Sequence, residues 1–513
     1  MTRRAAGICL GIILAASPQL LSAVRTLDDA STLIHQALEA QGGEQKLRSI
    51  QNTHWNFVGY RNEIEESERP EGPYIAEFDQ TDEIHDFENF RYLSVTSADV
   101  YPVFRFTRGI LVTKGTVFRI MNSKKLAGPA EYLQVVRERL ALSPERLLLT
   151  AADARDLHRE PDTMLQSVPQ NVLRFDLDGF PVRIFLNAHT HLPTAVDYGG
   201  PSAHTGFWAY LGDITLRTWY SSWWLAKGGI HLPMQWNTEG NGLPDQMVVV
   251  KRLRLNEGIR EEQFAIPPDI ENQPHPKSVS PEDVPFGGPG NSPEEIAPGV
   301  ILLPGPWNVT LIRQRDGIVV LEAPISSTYS TKVIAEARRL FPGQRIKAVI
   351  STSDSWPHVA GIRQFVAEQI PIYALNLNHA ILTRIVDSPH ISRPDDLQRT
   401  QRKPDVHLIS EKAVIGSGEN RLELFSIRGE KTERQMMVYL PEQKLLYGSD
   451  AFQRNPDGTY NLPQTVTELM DAVNREHLNV RKYFMMHIKL SSWSDLQGVI
   501  SDAISKDSPN AVE

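Results

Sequence analysis

Between Ile266 and Val300 the chain reads PPDIENQPHPKSVSPEDVPFGGPGNSPEEIAPG, dense in Pro and Gly and poor in apolar residues. Proline removes a backbone donor and glycine raises the entropic cost of order, so neither helix nor strand is expected there. The stretch is expected to be a linker over residues 267–298. At 513 residues the chain is in any case too long for a single core. Two bodies of similar size are therefore expected, 24–266 and 299–513, each with its own hydrophobic pattern.

The opening residues form a third unit. Arg3 and Arg4 precede the apolar run GICLGIILAA, and small residues follow at Ser22 and Ala23, the pattern of a secretory signal peptide over residues 1–23. The run is short for a membrane span, so the mature chain is expected to be periplasmic or secreted, with no stable span after cleavage. The sole cysteine, Cys9, lies in this segment, so a cleaved chain has no disulfide, thiolate ligand or cysteine nucleophile. A net charge of -9 offers no basic field for nucleic acid.

In residues 24–266, DDASTLIHQALEAQGG places Ile34, Ala37 and Leu38 at helical spacing and stops at Gly42-Gly43. Runs rich in aromatic and β-branched residues follow, among them THWNFVGYR, FRYLSV, VLRFDLD, PVRIFLN and QMVVVKRLRLN. They predict a mainly antiparallel sheet, interrupted by helix near AEYLQVVRERLALSPERLLLTAADA. Five tryptophans lie between Trp208 and Trp236, including the pair Trp223-Trp224. On a curved sheet they would either line an apolar ligand site or fill the core. The acidic runs EIEESE and the pair at Glu261 are expected to be solvated.

After Val300 the pattern changes. Short strands GVILL, VTLIR and GIVVLEAP precede the helix STKVIAEARRLF, with Val333, Ile334, Ala337 and Phe341 on one face. The strand KAVIS then enters a loop, TSDSWPHVAG, followed by a helix that buries Val359, Ile362, Phe365 and Val366. This half is α/β, with helices packed on sheets.

Those residues resemble the metallo-β-lactamase superfamily over about 295–505. The resemblance implies an αββα sandwich and a ligand loop of pattern H-x-H-x-D-H, whose side chains hold zinc for hydrolysis. His358 matches the last histidine of that loop. Ser353 and Ser355 stand at the first two histidines, and Pro357 stands at the aspartate. In MMVYLPEQKLLYGSDAF, Asp450 matches the bridging aspartate; in YFMMHIKLSSWSDL, His487 matches the terminal histidine; Lys431 in GEKTERQ replaces the histidine before the hairpin. One metal position thus loses all its ligands, and the other keeps His358, Asp450 and His487. The resemblance leaves two readings: a single zinc on those three residues, with His358 and Asp450 catalytic, or no metal, with a Lys431–Asp450 contact balancing the carboxylate. Asp354, His379 and His390 are substitute ligand candidates, and Trp356 would wall the pocket. The first reading makes the protein a hydrolase of ester, lactone or amide bonds. The second leaves an altered or lost activity with binding of a small, apolar or anionic molecule; a platform for a protein partner is a third alternative. The first half, by the order of its helix, long sheet and closing hairpin, resembles the half-barrel domains of bacterial lipoprotein carriers. No G-x-S-x-G elbow, phosphate-cradling glycine loop or H-E-x-x-H helix occurs.

Overall fold

The computed structural model describes residues 29–64, 72–100, 104–200, 211–277, 283–287, 292–454, 460–461, 463–496 and 498. The expected signal segment with Cys9, part of EIEESE, and Trp208 lie outside the described residues.

The first helix, Ala30–Gln41, is capped by the Asp29 carboxylate, which accepts from Thr32 N at 2.7 Å, and ends at Gly42 with φ +128°. Its face of Leu33, Ile34, Ala37 and Leu38 is buried. With Leu147–Asp153, which packs beside it, this helix sits on one antiparallel sheet of thirteen strands. The strand Asn52–Asn62 lies mid-sheet, paired on one side with Ala76–Asp86 and on the other with Leu243–Leu255. Trp55, Leu173, Ile184, Tyr220 and Leu232 meet the helices in one core.

A second feature of that sheet is electrostatic. Ala76–Asp86 buries Glu77, Asp79, Thr81, Glu83 and His85, alternate residues that share one face. Arg108 pairs with Glu77, and His85 bridges Glu83 at 2.6 Å and Glu145 at 2.7 Å. Burial disfavours the charged imidazole, but Glu145 and Glu83 outweigh it and push His85 up to about 9.

The tryptophans do not share one wall. Trp236 packs edge-on against Trp55 and Phe57, each at 5.7 Å, and Trp223 meets Tyr220, whereas Trp224 is 68 % exposed. Trp219 lies over a separate small cluster of Val172, Phe185 and Ala195.

The Pro/Gly segment is not wholly irregular. Pro268–Glu271 forms one helical turn, using Pro where its missing donor costs nothing. Glu294–Ala297 pairs with Val300–Leu303, so ordered pairing begins inside the expected linker.

Beyond it, seven strands from Glu294 to Ile409 form one sheet, and six strands from Lys412 to Ser492 form another. Ile312, Val319, Leu321 and Ile350 face Leu424, Met436, Val438 and Phe484 between the sheets. The outer face of the first sheet is covered by Ser327–Leu340, Ile362–Ala367 and His379–Asp387; that of the second is covered by Pro463–Arg475. This is an αββα sandwich.

The halves share a core and a clasp. Leu211, Ile214 and Leu243 of the first half join the cluster formed by the sandwich helices. Asp213 N donates to Pro389 O at 2.7 Å, and the Asp213 carboxylate accepts from Ile391 N at 2.6 Å. Gly212, at φ +80°, lets the chain pass against Pro389 O, where a Cβ would collide.

Candidate functional site

The strand Ile346–Ile350 runs parallel to Gly317–Leu321, and both open into loops at one edge of the sandwich. The first loop carries Glu322 and the second carries Thr352 through His358. Glu322 N donates to Ile350 O at 2.8 Å, which aligns the loops. Glu322 is fully buried, accepts from the Thr352 hydroxyl, and lies 2.9 Å from His358 Nδ1. Burial works against protonation of His358, but Glu322, Asp450 and Asp354 together raise its affinity for a proton. Its second nitrogen, Nε2, is buried with no hydrogen-bond partner.

Asp450 follows the strand Leu445–Tyr447. Ser449 ties this turn down: its Oγ is 2.7 Å from Thr352 Oγ1, and its carbonyl accepts from Met486 N at 3.1 Å. Asn308 grips the next loop, donating from N to Met486 O at 3.0 Å and from Nδ2 to Met485 O at 3.3 Å. His487 is thereby held with Nε2 at 3.5 Å from Asp450 Oδ2 and its ring edge toward Trp307. Asp450 Oδ1 is buried without a partner. Trp307 in turn meets the buried Trp356 at 4.6 Å, so an indole pair stands beside His487.

The floor is strained. Glu322 has φ +82°, Ile325 +74° and Ser449 +60°. A β-branched residue in this region is an outlier, and such residues cost roughly 1–3 kcal/mol each, persisting where the surroundings over-determine them. Gly361 begins Ile362–Ala367 where a Cβ would strike Ser330 Oγ. Inside this helix Arg363 is buried and binds Asp395 and the carbonyls of Ile385, Val386 and Ser388.

The structure therefore brings His358, Asp450 and His487 to one edge, with His358 in the buried layer and His487 nearer solvent. Ser353 and Ser355 turn toward each other, Oγ to Oγ 3.4 Å, and Pro357 is buried in the first turn after the loop. Asp450 Oδ2 lies 3.5 Å from His487 Nε2, and the backbone N–H of Lys431 donates to Glu468 at 3.1 Å on the neighbouring helix. Asp354 faces Arg434 at 3.8 Å, His379 is exposed, and His390 sits at the junction of the halves near Asp395. Glu322 was not a sequence candidate; its signal was a lone carboxylate ending the otherwise apolar run GIVVL.

As a metal centre the donor set is thin. Among the described residues no three His, Cys, Asp or Glu side chains come together so as to hold a metal ion. Catalytic zinc takes about three protein ligands, so the residues as placed do not fit one. What the arrangement offers chemically is a carboxylate–imidazole pair beside indoles, backed by a second, buried carboxylate–imidazole pair.

No family model and no curated protein matches the chain. Solved structures similar to it include the DIM-1 metallo-β-lactamase, at 16 % identity and TM-score 0.33, covering 42 % of this chain and 97 % of that one. A metallo-β-lactamase from Pontibacter korlensis matches at 13 % identity and TM-score 0.34, covering 42 % and 99 %. The sec-alkylsulfatase Pisa1 from Pseudomonas sp. matches at 16 % and 0.32, covering 42 % of this chain and 40 % of that one.

Proposed function

We propose that the sandwich edge around Asp450 and His487 is a small-molecule site that works without a resident metal, its hydrolytic activity lost or altered. One observation carries this reading: His487 Nε2 lies 3.5 Å from Asp450 Oδ2, while Asp450 Oδ1 is buried and unpartnered. A buried acceptor left open is costly, and a ligand hydroxyl, amide or water donating to it relieves that cost. Asp450 orients the imidazole, and His487 can take a proton from a ligand group at its outer face. Trp307 supplies an apolar wall beside that ring.

The second reading, one zinc, requires His358, Asp450 and His487 to draw together from their present places, and only the orphaned Nε2 of His358 favours it. Its Nδ1 is anchored on Glu322, as a ligating histidine's second nitrogen commonly is. Metal analysis of the purified chain separates the two. Metal-free protein, with no gain of activity on an ester and lactone panel when zinc is added, supports the first. About one tightly held zinc per chain, lost in His487→Ala, overturns it.

Export to the periplasm or medium belongs to the same proposal and rests on residues 1–23 alone. N-terminal sequencing of the secreted chain tests it, and an intact Met1 in exported material counts against cleavage. Among the described residues no helix is long and apolar enough to cross a membrane.

A further inference from the structure

We infer that the first half carries a separate binding site for an uncharged, hydroxyl-rich ligand, a short oligosaccharide, on the outer face of its sheet around Trp219. The strands Asn52–Asn62, Leu243–Leu255, Ile230–Gly240 and Leu216–Ala226 are consecutive neighbours, and their registers align Tyr60 with Met247, Met247 with Asn237, and Asn237 with Trp219. A cavity of about 360 Å³ lies over this row, lined also by Thr194 and by Gln166 of a hairpin turn. That volume lies within the roughly 300–1,000 Å³ of small-molecule sites.

The lining selects the ligand class. Among the described lining residues Glu239 alone carries charge, which disfavours an ionic ligand. An apolar ligand is disfavoured too, because Asn, Gln, Thr, Ser and Tyr groups predominate and would be left unpaired. Amides and hydroxyls both donate and accept, which matches the hydroxyls of a sugar. The partly buried indole of Trp219 lines the cavity and supplies apolar ring surface for the C–H side of a pyranose ring. This ring is braced: the Arg217 guanidinium lies 5.3 Å from its centroid and is itself fixed by two bonds to Asp197, at 2.6 and 2.8 Å. A braced ring loses little entropy on binding. Glu239 can accept from two vicinal hydroxyls.

The test is calorimetry and saturation-transfer NMR on the full chain with cellotetraose, chitotetraose and maltotetraose. At least one is expected to bind, roughly tenfold more weakly to Trp219→Ala. Trp219→Tyr restores part of the loss, and Glu239→Gln weakens binding without lowering thermal stability. His487→Ala leaves it unchanged, which separates this site from the sandwich edge. Absence of binding by all three sugars overturns the inference, as does binding that neither Trp219→Ala nor Glu239→Gln weakens.

Discussion

Each half of the molecule buries a histidine beside carboxylates, and the two are finished differently. His85 spends both ring nitrogens, on Glu83 and Glu145, and stacks on Tyr92 at 5.6 Å, with Arg139 closing on the Tyr92 hydroxyl at 2.6 Å. His358 spends one, on Glu322, and leaves Nε2 open, as the neighbouring Asp450 leaves its Oδ1. A network closed at its imidazole, as this one is although Glu145 Oε2 is left without a partner, fixes a helix to a sheet. One open at its imidazole carries unmet hydrogen-bonding capacity on the group that can move a proton. Glu322 and Ser449, both left-handed, belong to the turns that carry the open network.

The largest effect is expected at the closed network. His85→Ala strands Glu83 and Glu145 in the interior, and breaking a buried pair costs about 3–5 kcal/mol. Urea unfolding followed by circular dichroism measures it; a loss under about 1 kcal/mol would show that the cluster is solvated rather than sealed.

The same network sets a pH dependence whose sign follows from its shifts. His85 is raised from 6.5 to about 9, so its contribution is complete below about pH 6.5 and is lost as pH rises through about 9. Glu83 and Glu145 are lowered from 4.5: burial opposes ionisation, and the bonded His85 overrides it. Their contribution is present above pH 4.5 and is lost as pH falls through their lowered values. The urea midpoint should therefore be highest between about pH 5 and 6.5 and should fall between about pH 6.5 and 9. In His85→Ala the alkaline fall should be reduced.

The fold was legible where burial follows a simple period. Leu33, Ile34, Ala37 and Leu38 announce the first helix, and Val333, Ile334 and Ala337 announce the one in the sandwich. Ala76–Asp86 was illegible because its buried face is Glu77, Asp79, Thr81, Glu83 and His85. Alternation of acid with acid carries no hydrophobic signal, and the partners that make it a core strand come from Arg108 and Glu145, distant in sequence. At the sandwich edge the sequence marked His358, Asp450 and His487, because loop spacing survives the loss of individual ligands. It did not mark Glu322, whose role depends on two loops meeting in space. Nor did it mark the small cavity beside Trp219, assembled from two or three residues on each of four strands, with Gln166 and Thr194.

An intermediate effect is expected at the open network. His358→Ala removes one buried bond and leaves Glu322 with the Thr352 hydroxyl still donating. Leaving one buried group unpaired costs about 1–3 kcal/mol, less than the change at His85. Equal losses in the two variants under identical urea titration would erase the distinction between closed and open networks.

The smallest change in stability, and the sharpest test of the contrast, belongs to His487→Ala. Its side chain is 25 % exposed, and its 3.5 Å contact to Asp450 is long, so unfolding should move by no more than about 0.5 kcal/mol. Any ligand found for this edge should lose affinity by about tenfold or more, because the imidazole held against Asp450 Oδ2 is gone. A scaffold residue behaves the other way, with stability falling and binding spared, as His85→Ala is expected to do wherever enough folded chain remains to titrate. Measuring both quantities on both variants decides which histidine serves the fold and which serves the site.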